Sequence, residues 1–85
     1  MEYFSSKKFD KQFAKLSQKT QEQFYKRLRL LKIDPFNPVL NNHCVHYPYE
    51  GCQSINITGN IRALYEASNS TALFVCIGTH SELYK

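Results

Sequence analysis

The hydrophobic pattern of the first 34 residues predicts two amphipathic helices. Apolar side chains recur at helical spacing in two rows, the first made of Phe9, Phe13 and Leu16 and the second of Phe24, Leu28 and Leu31. Ser5 or Ser6 can cap the first helix, because a serine hydroxyl accepts hydrogen bonds from free amides of the first turn. Thr20, with Gln23 three residues later, can begin the second helix with a capping box. Asp34-Pro35 ends it, since the residue before proline avoids the helical region.

After residue 42 the pattern changes to short runs that are typical of strands. We predict strands over residues 44–47, 53–57, 61–67 and 72–77, with a further short strand at 2–4. Ile55 and Ile57 fall on one face of their strand, and Ser54 and Asn56 fall on the other. Run 72–77 is apolar on both faces, which indicates a strand in the middle of a covered sheet. Turns are predicted at Ser68-Asn69-Ser70 and at Thr58-Gly59-Asn60, whose glycine tolerates a positive φ.

These elements predict an α+β fold. The order is strand, two helices, then three or four strands joined by hairpins, giving two layers with a mostly antiparallel sheet and a helical hairpin on one face. The 85 residues are expected to form one domain over residues 1–85.

Charge is distributed unevenly along the chain. Residues 1–33 hold nine Lys and Arg against three Asp and Glu, whereas residues 34–85 hold two against four. A basic helical half indicates a polyanion or an acidic protein as partner, with a solvated lysine-rich surface as the open alternative. The three cysteines, the absence of an apolar leader and the lack of ~20 consecutive apolar residues favour a reduced cytoplasmic protein without a membrane span. We expect the thiols to be packing residues.

The middle of the chain holds side chains that a zinc ion accepts, namely His43, Cys44, His46 and Cys52. Their spacing is poor, because there is no Cys-x2-Cys pair and adjacent residues of a strand point to opposite faces. We therefore expect no metal and no cofactor. The same segment, with Tyr47 and Tyr49, can instead form a loop that stacks on bases, which makes His46 a candidate contact for nucleic acid.

Three segments of the chain resemble the RelE/YafQ branch of the RelE/ParE toxin superfamily. They are the Asp34-Pro35 helix stop followed by Asn42-His43, the stretch from Gly51 through Tyr65, and the ending Ile77-Gly78-Thr79-His80-Ser81-Glu82-Leu83-Tyr84. With the two helices, the likeness covers nearly the whole chain. It implies a RelE-like fold and the toxin of a bacterial, cytoplasmic type II toxin–antitoxin system. Such a toxin is a monomer when free and is bound by a cognate antitoxin protein.

The resemblance also implies a reaction and its residues. Members of this branch cleave mRNA in the ribosomal A site without metal, by attack of the ribose 2′-hydroxyl on the adjacent phosphorus. His80 matches the C-terminal catalytic histidine, Arg62 the strand arginine at the scissile phosphate, Tyr84 the terminal aromatic that stacks on the nucleotide, and His43 a further histidine. Which of His43 and His80 is the acid and which the base is left open. Lys11 and Lys15 are candidate RNA contacts.

The chain departs from the YafQ pattern at two positions. Asn56 stands where related toxins carry another histidine, and Asn60-Ile61 stands for an acid followed by an aromatic. Asparagine can hold a phosphate or orient a hydroxyl, so both are candidate substrate-binding residues, but it does not transfer protons at neutral pH.

This departure keeps a second function open, namely a non-catalytic member of the fold, such as a ParE-like gyrase poison or an antitoxin-binding module. Structural alternatives for single residues also stay open. Arg62 can pair with Glu66, Tyr84 can merely pack, and His43 can bond loop carbonyls.

Overall fold

The structure, a computed structural model, describes residues 1–84. Its elements in chain order are β1 (Glu2–Ser5), α1 (Lys7–Ala14), α2 (Gln18–Ile33), β2 (His43–Cys44), β3 (Gln53–Asn56), β4 (Ile61–Ser68), β5 (Thr71–Thr79) and α3 (His80–Leu83). The strands form one sheet in the order β1-β5-β4-β3-β2. Only the β1–β5 pair is parallel, so the predicted α+β fold with a mostly antiparallel sheet is confirmed. Within residues 1–84 no helix has the length and apolarity that crossing a membrane requires.

Serine side chains begin both long helices. The Ser6 hydroxyl accepts from the Phe9 amide at 3.0 Å, as predicted for α1. Ser17, rather than Thr20, caps α2, and its hydroxyl accepts from the Thr20 amide at 3.2 Å. The predicted start was wrong because Ser17 follows α1 closely and offers an earlier cap, so the helix gains three residues, which is most of a turn.

The two predicted apolar rows cover one face of the sheet. Phe9, Phe24 and Phe74 meet there with ring centroids 5.2–5.6 Å apart. The other members of this main core are Leu31, Leu40, Ile55, Ile57, Ala63, Tyr65, Ala72 and Ile77, with Tyr3, Phe13, Leu16, Leu28, Leu30 and Ile61 at its margin. Because β5 contributes to this core and also to a second one, its prediction as a covered strand is confirmed.

The opposite side of the sheet, which we call the open face, carries a smaller apolar cluster. Its buried members are Val45, Cys52, Leu64, Cys76 and Leu83. They come from the loop between β2 and β3, from the sheet and from α3. Cys52 and Cys76 are therefore packing residues, as expected, whereas Cys44 is exposed at the edge of the sheet and the expectation for it was wrong.

The β2–β3 loop begins earlier than predicted. The strand expected over residues 44–47 is reduced to His43–Cys44, because the chain turns onto the open face immediately afterwards. Two hydrogen bonds shape this turn, from the Tyr49 amide to His46 O at 2.9 Å and from the Cys52 amide to Tyr49 O at 3.1 Å. Among residues 1–84, φ is positive at Gly51 in this loop (88°), at Asn69 in the β4–β5 turn (51°) and at Asn41 (46°), whereas Gly59, which tolerates a positive φ, does not adopt one.

Helix α1 completes the sheet edge where β1 ends. Strand β1 pairs with β5 only as far as Phe74. Beyond that point the Ser6 hydroxyl donates to Val75 O at 2.9 Å, and Gln12 Oε1 accepts from the Ile77 amide at 2.9 Å. Side chains of α1 thus replace a neighbouring strand, and the lysine-bearing helix is fixed beside the C-terminal half of β5.

Candidate active site

The end of β5 and the start of α3 position the C-terminal histidine. The strand predicted over residues 72–77 continues through Gly78 and Thr79, because both are paired with β4. Thr79 then caps α3 through a capping box: its hydroxyl accepts from the Glu82 amide at 3.1 Å, and Glu82 Oε1 accepts from the Thr79 amide at 2.8 Å. The Thr-x-x-Glu spacing was the sequence signal for this helix. His80 is its first residue and is exposed.

Arg62 is the central side chain of the candidate site on the sheet. Its Cα partners are Asn56 on β3 and Gly78 on β5. Nη1 donates to the carbonyls of Thr58 at 3.3 Å, Gly59 at 3.2 Å and Ile61 at 3.5 Å. In the described part of the chain no hydrogen bond uses Nε or Nη2 and no ion pair joins Arg62 to Glu66. The bend between β3 and β4 therefore orients the guanidinium and leaves donors available for an anion.

Arg62 and His80 line one cleft. The cleft has a volume of about 340 Å³, and it is lined by Gly59, Asn60, Arg62, Thr79, His80 and Ser81; we call it the terminal cleft. The pairing of Ile61 with Thr79 and of Arg62 with Gly78 brings its two sides together. Because the lining residues within the described part of the chain include an arginine and a histidine but no carboxylate, the cleft suits a phosphate group.

Two tyrosines continue the site behind His80. The His80 and Tyr84 rings lie 4.7 Å apart between centroids, at 34°. Tyr84 in turn meets Tyr49 edge-on, with centroids 5.8 Å apart and planes at 85°. Burial, followed by the nearby groups Cys76, Tyr49 and Cys52, raises the pKa of Tyr84 above its ordinary 10.0, so the phenol is neutral at physiological pH. Sequence patterns gave no sign of the Tyr49–Tyr84 contact, since it joins a loop to the far end of the chain.

Other predicted site residues lie outside the terminal cleft. His43 is on β2, two strands from β4, and its Nδ1 is 2.8 Å from Asn41 O. His46 lines a separate cavity of about 530 Å³ beside Cys44, Glu50 and Cys52. Lys11 lies on α1 and Lys15 caps its end, and both are exposed. Of the two histidines considered for proton transfer, only His80 reaches the cleft.

Asn56 has a particular environment beside Arg62. It is half-buried, its amide donates to Leu40 O at 2.8 Å, and its side-chain Oδ1 is buried without a hydrogen-bond partner in the structure. An unpaired buried acceptor costs about 1–3 kcal/mol. The position is therefore held by the backbone of the strand rather than by its side-chain amide.

The chemistry of the described site rests on imidazole, guanidinium and phenol groups. Among residues 1–84 no three His, Cys, Asp or Glu side chains are grouped so that they can hold a metal ion. Burial raises the pKa of the Cys76 thiol, and burial together with Glu66 raises that of Cys52, so both are protonated and poor nucleophiles.

Comparison with known proteins identifies the fold. No family model matches the sequence, and no curated protein matches it. Solved structures do match: YafQ from E. coli strain BL21(DE3) superposes with a TM-score of 0.82 at 20% identity, covering 99% of this chain and 98% of YafQ. The E. coli DinJ-YafQ toxin-antitoxin complex matches with a TM-score of 0.81 at 20% identity, over 99% of this chain and 97% of the other. The YoeB/ParE toxin from Agrobacterium tumefaciens matches with a TM-score of 0.78 at 18% identity, over 94% and 99%. The chain therefore has the fold of the RelE/ParE toxin superfamily, as the motifs of its sequence implied.

Proposed function

We propose that this protein is the toxin of a type II toxin–antitoxin system and that it cleaves mRNA in the ribosomal A site, in the bacterial cytoplasm. The observation that carries the proposal is the terminal cleft, in which Arg62 and His80 face the same space of about 340 Å³. Cleavage by the ribose 2′-hydroxyl needs proton transfer and a cation for the charge that grows on phosphorus, and an imidazole and a guanidinium can supply these.

Arg62 acts on the scissile phosphate. Attack on phosphorus increases the negative charge on the non-bridging oxygens, and a positioned guanidinium stabilises that charge. Nη1 is occupied by three backbone carbonyls, which hold the side chain, so Nε and Nη2 are the donors that contact phosphate. Asn60, at the rim of the same cleft, contributes a further amide to the phosphate or ribose.

His80 transfers the proton. It is exposed at the start of α3, where an RNA strand can approach, and its ring rests on Tyr84. It serves either as the base for the 2′-hydroxyl or as the acid for the departing 5′-oxygen, and water exchanges the other proton. The new bond from the 2′-oxygen to phosphorus replaces the bond to the 5′-oxygen, which leaves a cyclic phosphate and a 5′-hydroxyl. Tyr84, whose phenol stays neutral, stacks on the nucleotide or orients its phosphate.

Lysines and aromatic side chains around the cleft provide the remaining RNA contacts. Lys11 and Lys15 lie on α1, which runs beside the C-terminal half of β5 through the Gln12–Ile77 hydrogen bond. On the other side of the sheet, His43 and His46 flank the loop that carries the exposed Tyr47. These groups contact the backbone and the bases of RNA on either side of the scissile bond.

The proposed partner is an antitoxin, in keeping with the DinJ-YafQ complex of the same fold. Exposed apolar side chains on and around α2 and β1 are available to it, among them Phe4, Tyr25, Ile33 and Phe36. An antitoxin segment that covers them need not mimic RNA. When free, the toxin is a monomer.

A second function is favoured by one observation. A single histidine lines the terminal cleft, and Asn56 and Asn60 do not transfer protons. A toxin of this fold that acts by binding, such as a gyrase poison, needs no proton-transfer pair. The two functions differ in whether toxicity depends on His80.

The test compares the protein with His80→Ala after brief induction, mapping transcript 5′ ends within minutes. We expect codon-registered new ends with the unchanged protein and none with His80→Ala. Ser70→Ala is the control, because this exposed residue lies in the β4–β5 turn, at the end of the hairpin opposite the cleft, and we expect the new ends to persist with it. Growth arrest without new transcript ends, or equal toxicity of the unchanged protein and His80→Ala, would contradict the nuclease function. Either result would favour a toxin that acts by binding.

A further inference from the structure

The β2–β3 loop carries one aromatic side chain across the open face. Two turns fold residues 46–52 so that Tyr49 leaves the β2 edge of the sheet and reaches the apolar cluster of the open face, to which β5 contributes Cys76. Tyr49 is half-buried there, next to the cluster that contains Cys76 and Leu83. The neighbouring Tyr47 is 84% exposed, so the loop directs only one of its two tyrosines inward.

Tyr49 contacts three separate elements. Its ring meets Tyr84 edge-on at 5.8 Å, and its side chain packs against the cluster to which β5 contributes Cys76. The ammonium of Lys8 on α1 lies 5.7 Å from the centre of the same ring, within the range of a cation–π contact. A ring that is fixed by a helix and a strand offers a rigid surface to a third element.

Tyr84 needs a rigid surface of this kind to hold its ring in place. Helix α3 has only four residues, too few to be stable by its own hydrogen bonds. The capping box fixes its start and Leu83 anchors one side, but Tyr84 follows its last residue and is only half-buried. Its amide donates to His80 O at 3.0 Å, so the position of Tyr84 and that of His80 are coupled through the backbone as well as through ring contact.

We propose that Tyr49 is a positioning residue of the terminal cleft, which holds Tyr84 edge-on and thereby fixes the ring on which His80 rests. Tyr49 touches neither the phosphate site nor the proton-transfer group, since it does not line the cleft. Its effect on cleavage rests on the proposed nuclease function, whereas its effect on the His80 ring does not.

The first experiment measures the His80 ring by NMR in the whole protein. Stacking on Tyr84 shifts the His80 ring protons upfield, and the exposed rings of His43 and His46 provide internal references. We expect Tyr49→Leu to move the His80 signals toward these references and Tyr49→Phe to leave them in place, because phenylalanine keeps the ring. Tyr47→Leu is the matched control and leaves them unchanged. A His80 signal that is indifferent to Tyr49→Leu overturns the proposal. Should that variant fail to fold, the proposal is tested by nuclear Overhauser contacts between the Tyr49 and Tyr84 rings of the unchanged protein. The absence of these contacts overturns the proposal.

The second experiment is a double-mutant cycle on cleavage of ribosome-bound mRNA. We expect Tyr49→Leu to lower kcat about tenfold with little change in KM, as for a misplaced catalytic group. In a Tyr84→Leu background the same change has little further effect if Tyr49 acts through Tyr84. Additive losses contradict the proposal. If the unchanged protein does not cleave, the nuclease function fails, and the NMR result alone decides the role of Tyr49.

Discussion

Arg62 and Gly78 are direct Cα partners across β4 and β5. Opposite residues of an antiparallel pair project side chains to the same face, so glycine leaves the neighbourhood of the arginine without a competing side chain. The same glycine lies beneath the capping carboxylate, because a Cβ built there would be 3.1 Å from Glu82 Oε1. Gly78 thus leaves space on both sides of the terminal cleft. One side holds the guanidinium of Arg62, and the other holds the start of α3.

Arg62→Lys tests the geometry of the guanidinium. Lysine keeps the positive charge but loses the planar fork and the three carbonyl contacts that orient it. We expect a loss of about 10²-fold in kcat for Arg62→Ala, as for removal of one oxyanion donor, and an intermediate loss for Arg62→Lys. The measurement is single-turnover cleavage on programmed ribosomes. Equal activity of the lysine variant and the unchanged protein would show that charge alone suffices.

Gly78→Ala tests the packing of α3. The added methyl group displaces Glu82 Oε1 and weakens the capping box, for which we expect a loss of about 1 kcal/mol in the free energy of unfolding. In a domain of this size that lowers Tm by about 4–8 °C. Gly59→Ala is the control for stability, since nothing lies within 4 Å of its Cβ and its φ is not positive. Equal Tm values for the two variants contradict the prediction.

Asn56→His tests the departure from the YafQ pattern. Asn56 is the β3 partner of Arg62, so an imidazole at this position adds a second group able to transfer protons beside the cleft. We expect the cleavage rate to rise about tenfold or more, because proton transfer by a positioned side chain contributes about 10²–10⁴-fold. Asn56→Gln, which has no titratable group, is the control. A higher cleavage rate in both variants would indicate that the larger side chain, and not proton transfer, is the cause.

Stability is expected to fall at alkaline pH. Burial raises the pKa of Cys52 and Cys76 above 9.0, and that of Tyr65 and Tyr84 above 10.0. A group with a raised pKa in the folded state stabilises fully below its unfolded pKa, and this contribution is lost as pH rises through the folded pKa. Urea midpoints should therefore be level near pH 8 and decrease from about pH 9 upward. The urea midpoint of Cys76→Ala should decrease less steeply with rising pH. A slope identical to that of the unchanged protein would exclude this thiol as a cause of the alkaline loss of stability.

The succession of helices and strands along the chain was predictable because periodicity reports which residues face the core, whereas the parallel pairing of β1 with β5 was not predicted. Phe9, Phe13, Phe24 and Leu31 needed no knowledge of the tertiary structure to be assigned to the core. The meeting of Arg62 with His80 was also within reach, since the β4–β5 hairpin joins their segments. The resemblance named these two residues, and the pairing explains why they share a cleft.

The remaining contacts depend on paths that no local pattern encodes. Loop residues 46–52 have no periodicity, so the route that carries Tyr49 to β5 was not predictable. His43 was grouped with His80 by resemblance, but strand order separates them, since β2 and β5 have β3 and β4 between them. Helix α3 was not predicted, although Thr79 and Glu82 have the capping-box spacing that marks its start.

The parallel pairing of β1 with β5 has a consequence for how the protein folds during its synthesis. The Ser6 hydroxyl bonds to Val75 O, 69 residues later, so this edge of the sheet has a high contact order. Closing so long a loop is entropically costly and follows the formation of local hairpins. During synthesis at about 5–20 residues per second, the aromatic rings of α1 and α2 stay exposed until β5 has been synthesised. The strand that buries those rings also carries His80 to Arg62, so the nascent chain acquires its core and its cleft in the same folding step.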